Sequence, residues 1–134
     1  MATPSLPDLR ITFANARGDA THSGPYERLI FRGAALTDGA DARIATHGNH
    51  QWELPNGVRY SRLECFFPCE AWFDGPGARE TRRLGPYYEF SAVDGVLYAD
   101  RRTLAFCDAQ LNDWYSFDFS EHYERLIVVP HAVR

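Results

Sequence analysis

Lysine is missing from this chain, cysteine is scarce, and no long apolar run occurs. All fourteen basic residues are arginines, and eighteen carboxylates outnumber them, which leaves a net charge of −4. An acidic chain lacks the basic face that general nucleic-acid binding requires, so we expect no nucleic-acid partner. No stretch approaches the roughly 18 apolar residues of a membrane span, so we expect no membrane partner either.

Cysteine usage and the first ten residues bear on the compartment. The chain has three cysteines, and MATPSLPDLR holds two prolines and no apolar core. A secretory signal needs such a core. The sequence therefore predicts a cytoplasmic protein with reduced thiols. Cys65 and Cys69 would lie about 13 Å apart in a regular strand, too far for a disulfide.

What the chain does contain is typical of an all-β protein. Short alternating runs rich in aromatic and β-branched residues are separated by turn formers at roughly 8–12-residue spacing, and no helical period is sustained. The pattern predicts a mainly β fold, a single antiparallel β-sandwich or β-barrel of about nine to ten short strands. We expect one domain over residues 1–134, with 1–8 as a flexible lead-in and loops at 14–25 and 74–81. Residues 126–129 are apolar on both faces, which predicts a central strand.

Two Xaa-Gly pairs predict hairpins. Asn56-Gly57 lies between alternating runs, and such a pair favours a two-residue turn with positive φ at both positions. That register places Trp52 opposite Ser61, with His50 on the same apolar face as Trp52. Asp94-Gly95 predicts a second two-residue turn.

One internal echo occurs: YERLI at residues 26–30 returns at 123–127. A single echo falls short of a repeat architecture. It predicts that the two segments occupy similar strand environments, as neighbours in a sheet.

His47 and His50 are the weak candidates for a metal site. Imidazoles bind zinc, copper and iron well, and a turn can bring two together. A site needs further ligands, however, and no other residue lies at a recognisable spacing. The favoured interpretation makes His47 a turn residue and His50 a neighbour of Trp52 in the core. We therefore predict no cofactor.

An enzyme could also work through paired carboxylates about 5–9 Å apart. The candidates are Glu53, Glu64, Glu70, Asp74 and Glu89. No nucleophile elbow, phosphate-binding loop or zinc-protease motif is present, so the sequence favours a protein without catalytic activity.

Acidic and aromatic residues interleave between positions 103 and 124, a stretch that has no arginine. Aromatics beside charge are typical of protein-binding surfaces. We therefore rank first a small acidic protein-binding module, of the kind found in inhibitor or immunity proteins, with Trp114, Asp118 and Glu121 as candidate contacts. The competing interpretation places Tyr115, Phe117 and Phe119 on a core face. A buried Trp114 would count against the binding role.

A small-ligand-binding barrel is the second function class. Arg59 and Ser61 lie near the Asn56-Gly57 turn on an otherwise apolar face, where they could meet a ligand at a barrel mouth. Arg59 is therefore also a candidate binding residue. A metal- or carboxylate-dependent enzyme is the third class.

Overall fold

The computed structural model describes residues 9–38, 42–48, 50–65, 68–74, 82–107, 114–116, 122–123 and 125–131. These residues form sixteen strands and no helix, so they include no helix that could span a membrane. In chain order the strands are β1 (Leu9–Ala14), β2 (Ala20–Tyr26), β3 (Leu29–Arg32), β4 (Ala35–Thr37), β5 (Arg43–Gly48), β6 (Gln51–Glu53), β7 (Arg59–Tyr60), β8 (Arg62–Cys65), β9 (Cys69–Asp74), β10 (Arg82–Tyr87), β11 (Phe90–Val93), β12 (Val96–Ala99), β13 (Arg102–Cys107), β14 (Trp114–Ser116), β15 (His122–Tyr123) and β16 (Arg125–Pro130).

The strands form two antiparallel sheets of eight strands each. Sheet A has the order β15-β14-β13-β12-β11-β8-β1-β2, and sheet B has the order β10-β9-β16-β3-β4-β5-β6-β7. The two sheets confirm the predicted all-β fold. Neither sheet closes on itself, so the closed-barrel alternative is wrong. The predicted nine to ten strands are too few. The polar residues 20–26 form a strand, and the run after Asn56-Gly57 is divided at Ser61 into β7 and β8.

The two sheets have the same topology. Equivalent strands of the two sheets differ by eight in number, so that β1 corresponds to β9, β8 to β16 and β11 to β3. Replacing each strand of sheet A by its equivalent gives β7-β6-β5-β4-β3-β16-β9-β10, which is sheet B in reverse order. The chain therefore consists of two structural repeats, β1–β8 and β9–β16. Each repeat puts its first hairpin and its last strand in one sheet and its five middle strands in the other. Neither repeat completes a sheet alone.

Strand registers align the repeats residue by residue. Several equivalent positions hold the same residue, most of them on inward-facing or turn positions: Phe13 and Phe73, Gly24 and Gly85, Pro25 and Pro86, Tyr26 and Tyr87, Leu36 and Leu97, Ala45 and Ala105, Trp52 and Trp114, Tyr60 and Tyr123, Arg62 and Arg125, Leu63 and Leu126.

Gly24 and Gly85 show how closely the repeats agree. Their φ angles are 123° and 132°, and each precedes a cis proline. A Cβ atom would lie 3.0 Å from the carbonyl oxygen of Leu9 at Gly24, and 3.1 Å from that of Cys69 at Gly85. Leu9 and Cys69 are themselves equivalent, so the same close backbone approach excludes a side chain in both hairpins.

The core lies between the sheets, with Phe31 near its centre. Its ring lies 6.0 Å from that of Trp52, 5.8 Å from that of Trp114 and 5.8 Å from that of Phe90. The Trp52 and Trp114 indoles each donate a hydrogen bond to a backbone carbonyl of the opposite sheet, 3.3 Å to Ala92 and 3.2 Å to Gly33. Equivalent tryptophans thus join the two sheets from both sides.

The Asn56-Gly57 hairpin exists, but its predicted register is wrong by one residue. Trp52 lies opposite Tyr60, and the Leu54 amide donates to the Val58 carbonyl, so the loop has three residues, 55–57. Gly57 takes the positive φ of 87° that ends such a loop. The chain then bends at Ser61 and enters the other sheet, where β8 pairs with β1 and β11.

Of the other local predictions, three are confirmed and one is wrong in part. The Asp94-Gly95 turn is confirmed by the pairing of Val93 with Val96, and residues 126–129 lie in β16, which is flanked by β9 and β3. The YERLI segments are neighbours through the pairing of β3 with β16. The predicted loop at 14–25 is wrong in part, because residues 20–26 form the edge strand β2 despite their polar composition.

Candidate functional site

His47 is buried in the core and His50 is exposed in a turn, which is the reverse of the prediction. His47 lies on β5 with its ring 5.0 Å from that of Trp52, and only 6% of its surface is exposed. The His50 side chain is 81% exposed in the turn before β6, where its Nδ1 contacts the Asp94 carboxylate. Within the described part of the chain, no three His, Cys, Asp or Glu residues are grouped to hold a metal ion. The hypothesis of a metal-dependent enzyme therefore lacks a ligand set there.

The five candidate catalytic carboxylates all have basic partners. Each contacts a different cationic or imidazole group: Glu53 with Arg59 at 3.5 Å, Glu64 with Arg62 at 2.9 Å, Glu70 with His131 at 2.8 Å, Asp74 with Arg125 at 2.6 Å and Glu89 with Arg101 at 3.3 Å. A glycosidase-type pair requires one carboxyl group to stay protonated beside another. The five contacts are those of separate ion pairs, so they give that mechanism no support.

Glu70 and Cys69 illustrate the electrostatics. The hydrogen bond from His131 is the main reason that the pKa of Glu70 lies below its usual value, and a hydrogen bond from the Trp72 indole at 3.3 Å adds to it. Burial is the main reason that the pKa of the Cys69 thiol rises to about 12. A thiol that stays protonated is a poor nucleophile. Neither residue is prepared for acid–base or nucleophilic catalysis.

Arg59 and Ser61 do not form a ligand site at a barrel mouth. Arg59 is exposed and bound to Glu53, whereas the Ser61 hydroxyl donates to the Ala14 carbonyl at 3.2 Å and holds the bend between the sheets. With no closed barrel, the predicted mouth does not exist. The ligand-binding hypothesis loses the geometry on which it depended.

One open depression in the described surface, of about 440 Å³, lies between β10 and the β12–β13 turn. It is lined by Tyr87, Ala99, Asp100, Arg102, Thr103 and Leu104. The Asp100 carboxylate already accepts hydrogen bonds from the backbone amides of Tyr88 and Glu89, at 2.9 and 3.0 Å. It is therefore occupied in shaping the turn.

Trp114 lies in the core with 1% of its surface exposed, which counts against its direct contact with a partner. Asp118 and Glu121 lie outside the described residues. Because Trp114 points inward, its neighbour Tyr115 points outward, the reverse of the core face expected for Tyr115, Phe117 and Phe119. Of these two residues of β14, Tyr115 is therefore the one that faces outward, where a partner would bind.

Four apolar side chains cross the outer face of sheet A in one row, which we call the outer strip: Val93, Val96, Phe106 and Tyr115. Each lies directly opposite the next in the strand registers of β11 to β14. Val93 and Phe106 are each 36% exposed. The rings of Phe106 and Tyr115 stack with centroids 5.5 Å apart and planes 15° from parallel.

The equivalent row on sheet B is polar, and we call it the counterpart row: Arg32, Ala35, Thr46 and Glu53. It continues to Arg59, which binds Glu53. Both rows have the same place in the same topology. The apolar character of the outer strip is therefore not a requirement of the fold.

Sheet B also has apolar residues on its outer face, and two of these are shielded from water. Ile127 is only 8% exposed, and the Arg83 guanidinium lies 4.2 Å from the centre of the neighbouring Trp72 ring. A long charged side chain of this kind shields apolar surface from water. The outer strip, by contrast, has two exposed side chains, Val93 and Phe106, and two stacked aromatic rings on paired strands.

Comparison with known proteins assigns no family to the chain. It matches no protein-family model, and no curated protein and no solved structure is significantly similar to it. The geometry of the surface is therefore the basis for assigning a function.

Proposed function

We propose that this chain is a non-catalytic protein-binding module and that the outer strip is its contact surface. The observation that carries the proposal is the contrast between the outer strip and the counterpart row. The same positions accept Arg, Ala, Thr and Glu on sheet B, so packing does not explain Val, Val, Phe and Tyr on sheet A. Val93 and Phe106 are each 36% exposed and Val96 and Tyr115 are half-buried. A continuous row of accessible apolar side chains is a feature of interaction sites.

The chemistry of the strip suits the centre of an interface. Phe106 and Tyr115 are stacked on neighbouring strands, so their side chains lose little freedom when a partner docks. Aromatic residues dominate binding energy when a partner excludes water from them. Val93 and Val96 extend the same surface across the Asp94-Gly95 turn.

Charge suggests the rim of the partner. Residues 108–121 join and flank the strands that carry Phe106 and Tyr115, and in sequence they hold four carboxylates and no basic residue: Asp108, Asp113, Asp118 and Glu121. Opposite charges around an apolar centre accelerate and orient association. We therefore propose a protein partner with an apolar centre and a basic rim. Asp118 and Glu121 remain in this proposal, whereas Trp114 and Arg59 do not.

The cysteines support a compartment for this partner. Cys65, Cys69 and Cys107 form no disulfide, and two of them are buried. Reduced thiols fit a reducing compartment. We propose that binding takes place in the cytoplasm.

The test is photo-crosslinking from two equivalent positions. A benzoylphenylalanine replaces Phe106 in one protein and Thr46 in the other, inside the cell that makes the chain. Position 46 is the matched control because it occupies the same place on sheet B. We expect a discrete crosslinked partner from position 106 and none from position 46.

The affinity of the captured partner is then measured with purified proteins. We expect Phe106→Thr to weaken binding at least about tenfold, as for a central aromatic contact, and Thr46→Ala to leave it unchanged. Equal capture from both positions, or an unchanged affinity for Phe106→Thr, would overturn the proposal. Crosslinking only between copies of this chain would replace it with a self-association surface.

A further inference from the structure

His47 is the one buried polar side chain of the described core that lacks hydrogen-bond partners. Both of its ring nitrogens are inaccessible to water and unpartnered. A neutral imidazole has one donor and one acceptor, and burying them unpaired destabilises a fold. The position therefore holds a residue that packing alone would not select.

The other repeat confirms that the fold does not need an imidazole here. Cys107 is the equivalent residue: it lies opposite Trp114 as His47 lies opposite Trp52. The backbone amides of His47 and Cys107 donate to equivalent carbonyls, those of Ala34 at 2.7 Å and Gly95 at 2.8 Å. Only the first repeat places an imidazole between these elements.

The surroundings of His47 lead directly to the outer strip. Its ring packs on Trp52, and the Trp52 indole donates to the carbonyl of Ala92, the residue before Val93. The ionisable groups whose charges act on His47 are Asp94, in the turn between Val93 and Val96, and His50, in the turn of its own hairpin. On the β4 side its backbone amide, not its ring, donates to the carbonyl of Ala34.

We infer that protonation of His47 loosens the β5–β6 hairpin from the β11–β12 hairpin, so that acid weakens the end of the outer strip formed by Val93 and Val96. The consequence for binding rests on the proposed function of the outer strip. The conformational step does not, because it concerns contacts inside the chain.

The direction follows from burial. Removal from water lowers the pKa of His47; the negative charge of Asp94 opposes this shift and the positive charge of His50 adds to it. The folded protein therefore binds this proton less readily than the unfolded chain does. The free energy of unfolding is therefore unaffected by this proton above the unfolded-state pKa, about 6.5 for histidine. It decreases as the pH falls through that value towards the folded-state pKa.

The experiment measures urea unfolding midpoints between pH 7.5 and pH 5.0, together with the backbone amide resonances of Val93 and Val96. The variants are wild type, His47→Leu and His47→Cys, the last placing at 47 the residue of the other repeat. We expect the wild-type midpoint to fall with acid and both variants to lose more than half of that fall. The two amides should shift with the titration of His47 in wild type and not in the variants.

His50→Gln is the matched control, since it removes the neighbouring exposed histidine and should keep the acid-induced fall. If the position 47 variants do not fold, the His47 ring resonances of wild type decide the question. Titration of that ring without movement of the Val93 and Val96 amides would overturn the inference, as would a full acid-induced fall in folded His47→Leu. Loss of acid sensitivity without any capture from position 106 would instead uphold this inference and reject the proposed function.

Discussion

Sheets A and B present the same arrangement of strands, but one equivalent row on their outer faces differs in chemistry, apolar in the outer strip and largely polar in the counterpart row. Many inward positions agree, as with Trp52 and Trp114, because both tryptophans pack into one shared core. The two outer rows differ: Phe106 stands where the other sheet has Thr46. Packing restricts the first set, and only solvent or a partner restricts the second. The contrast therefore separates the residues that serve the fold from those available for binding.

The largest expected effect comes from separating the repeats. Residues 1–67 and 68–134, expressed singly, each lack the strands that complete both sheets, so we expect neither fragment to fold alone. Mixed in equal amounts, they should regain a dispersed NMR spectrum and a cooperative unfolding transition. Cooperative unfolding of one fragment alone would show that the repeats are independent.

Replacing the ring at the centre of the core comes next. Phe31→Ala removes contacts with both tryptophans and Phe90, and should lower the free energy of unfolding by about 3–5 kcal/mol. Phe106→Ala removes a ring of similar size from the outer face and should cost much less. Urea denaturation of the two variants compares them directly; equal losses would mean that the outer strip supports the fold.

The paired glycines test the equivalence of the hairpins. Gly24→Ala and Gly85→Ala each force a side chain into a positive φ and against a backbone oxygen, which should cost about 1–3 kcal/mol in each case. Gly48→Ala is the control, since nothing lies within 4 Å of the added atom and its φ is not positive. Thermal or urea unfolding that leaves either hairpin variant as stable as the control would contradict the equivalence.

The smallest effect on stability should come from Thr46→Ala in the counterpart row. A half-exposed side chain on an outer face usually contributes within about 0.5 kcal/mol of zero. Its unfolding midpoint should therefore match that of wild type. A large loss would show that the outer row of sheet B has a structural role.

Much of the fold could be predicted from local sequence. Alternation identified the inward face of β1, Asp94-Gly95 gave its turn, and the apolar run at 126–129 gave a central strand. Polar edge strands such as β2 could not be found this way, because their side chains face solvent on both sides. The register at Asn56-Gly57 was wrong because Pro55 joins the turn, an effect of backbone geometry rather than of hydrophobic pattern.

The repeat was visible in sequence, but not where the longest echo lies. YERLI joins β3 to β16, which are neighbours and not equivalents. The true correspondence is carried by short, dispersed signals: Gly-Pro-Tyr at 24–26 and 85–87, and Tyr-x-Arg-Leu at 60–63 and 123–126. Each is too short to stand out alone. Strand pairing is what aligns them, and with them the two outer rows that define the candidate site.

The most direct test of the central claim exchanges the outer faces. One variant gives the outer strip the residues of the counterpart row, through Val93→Arg, Val96→Ala, Phe106→Thr and Tyr115→Glu. A second variant makes three alanine substitutions in the counterpart row itself, at Arg32, Thr46 and Glu53, because position 35 is already alanine. Binding of the partner captured from position 106 is measured for both, alongside their unfolding midpoints. We expect both variants to fold and only the first to lose binding of the partner. Retained binding in a folded first variant would contradict the central claim.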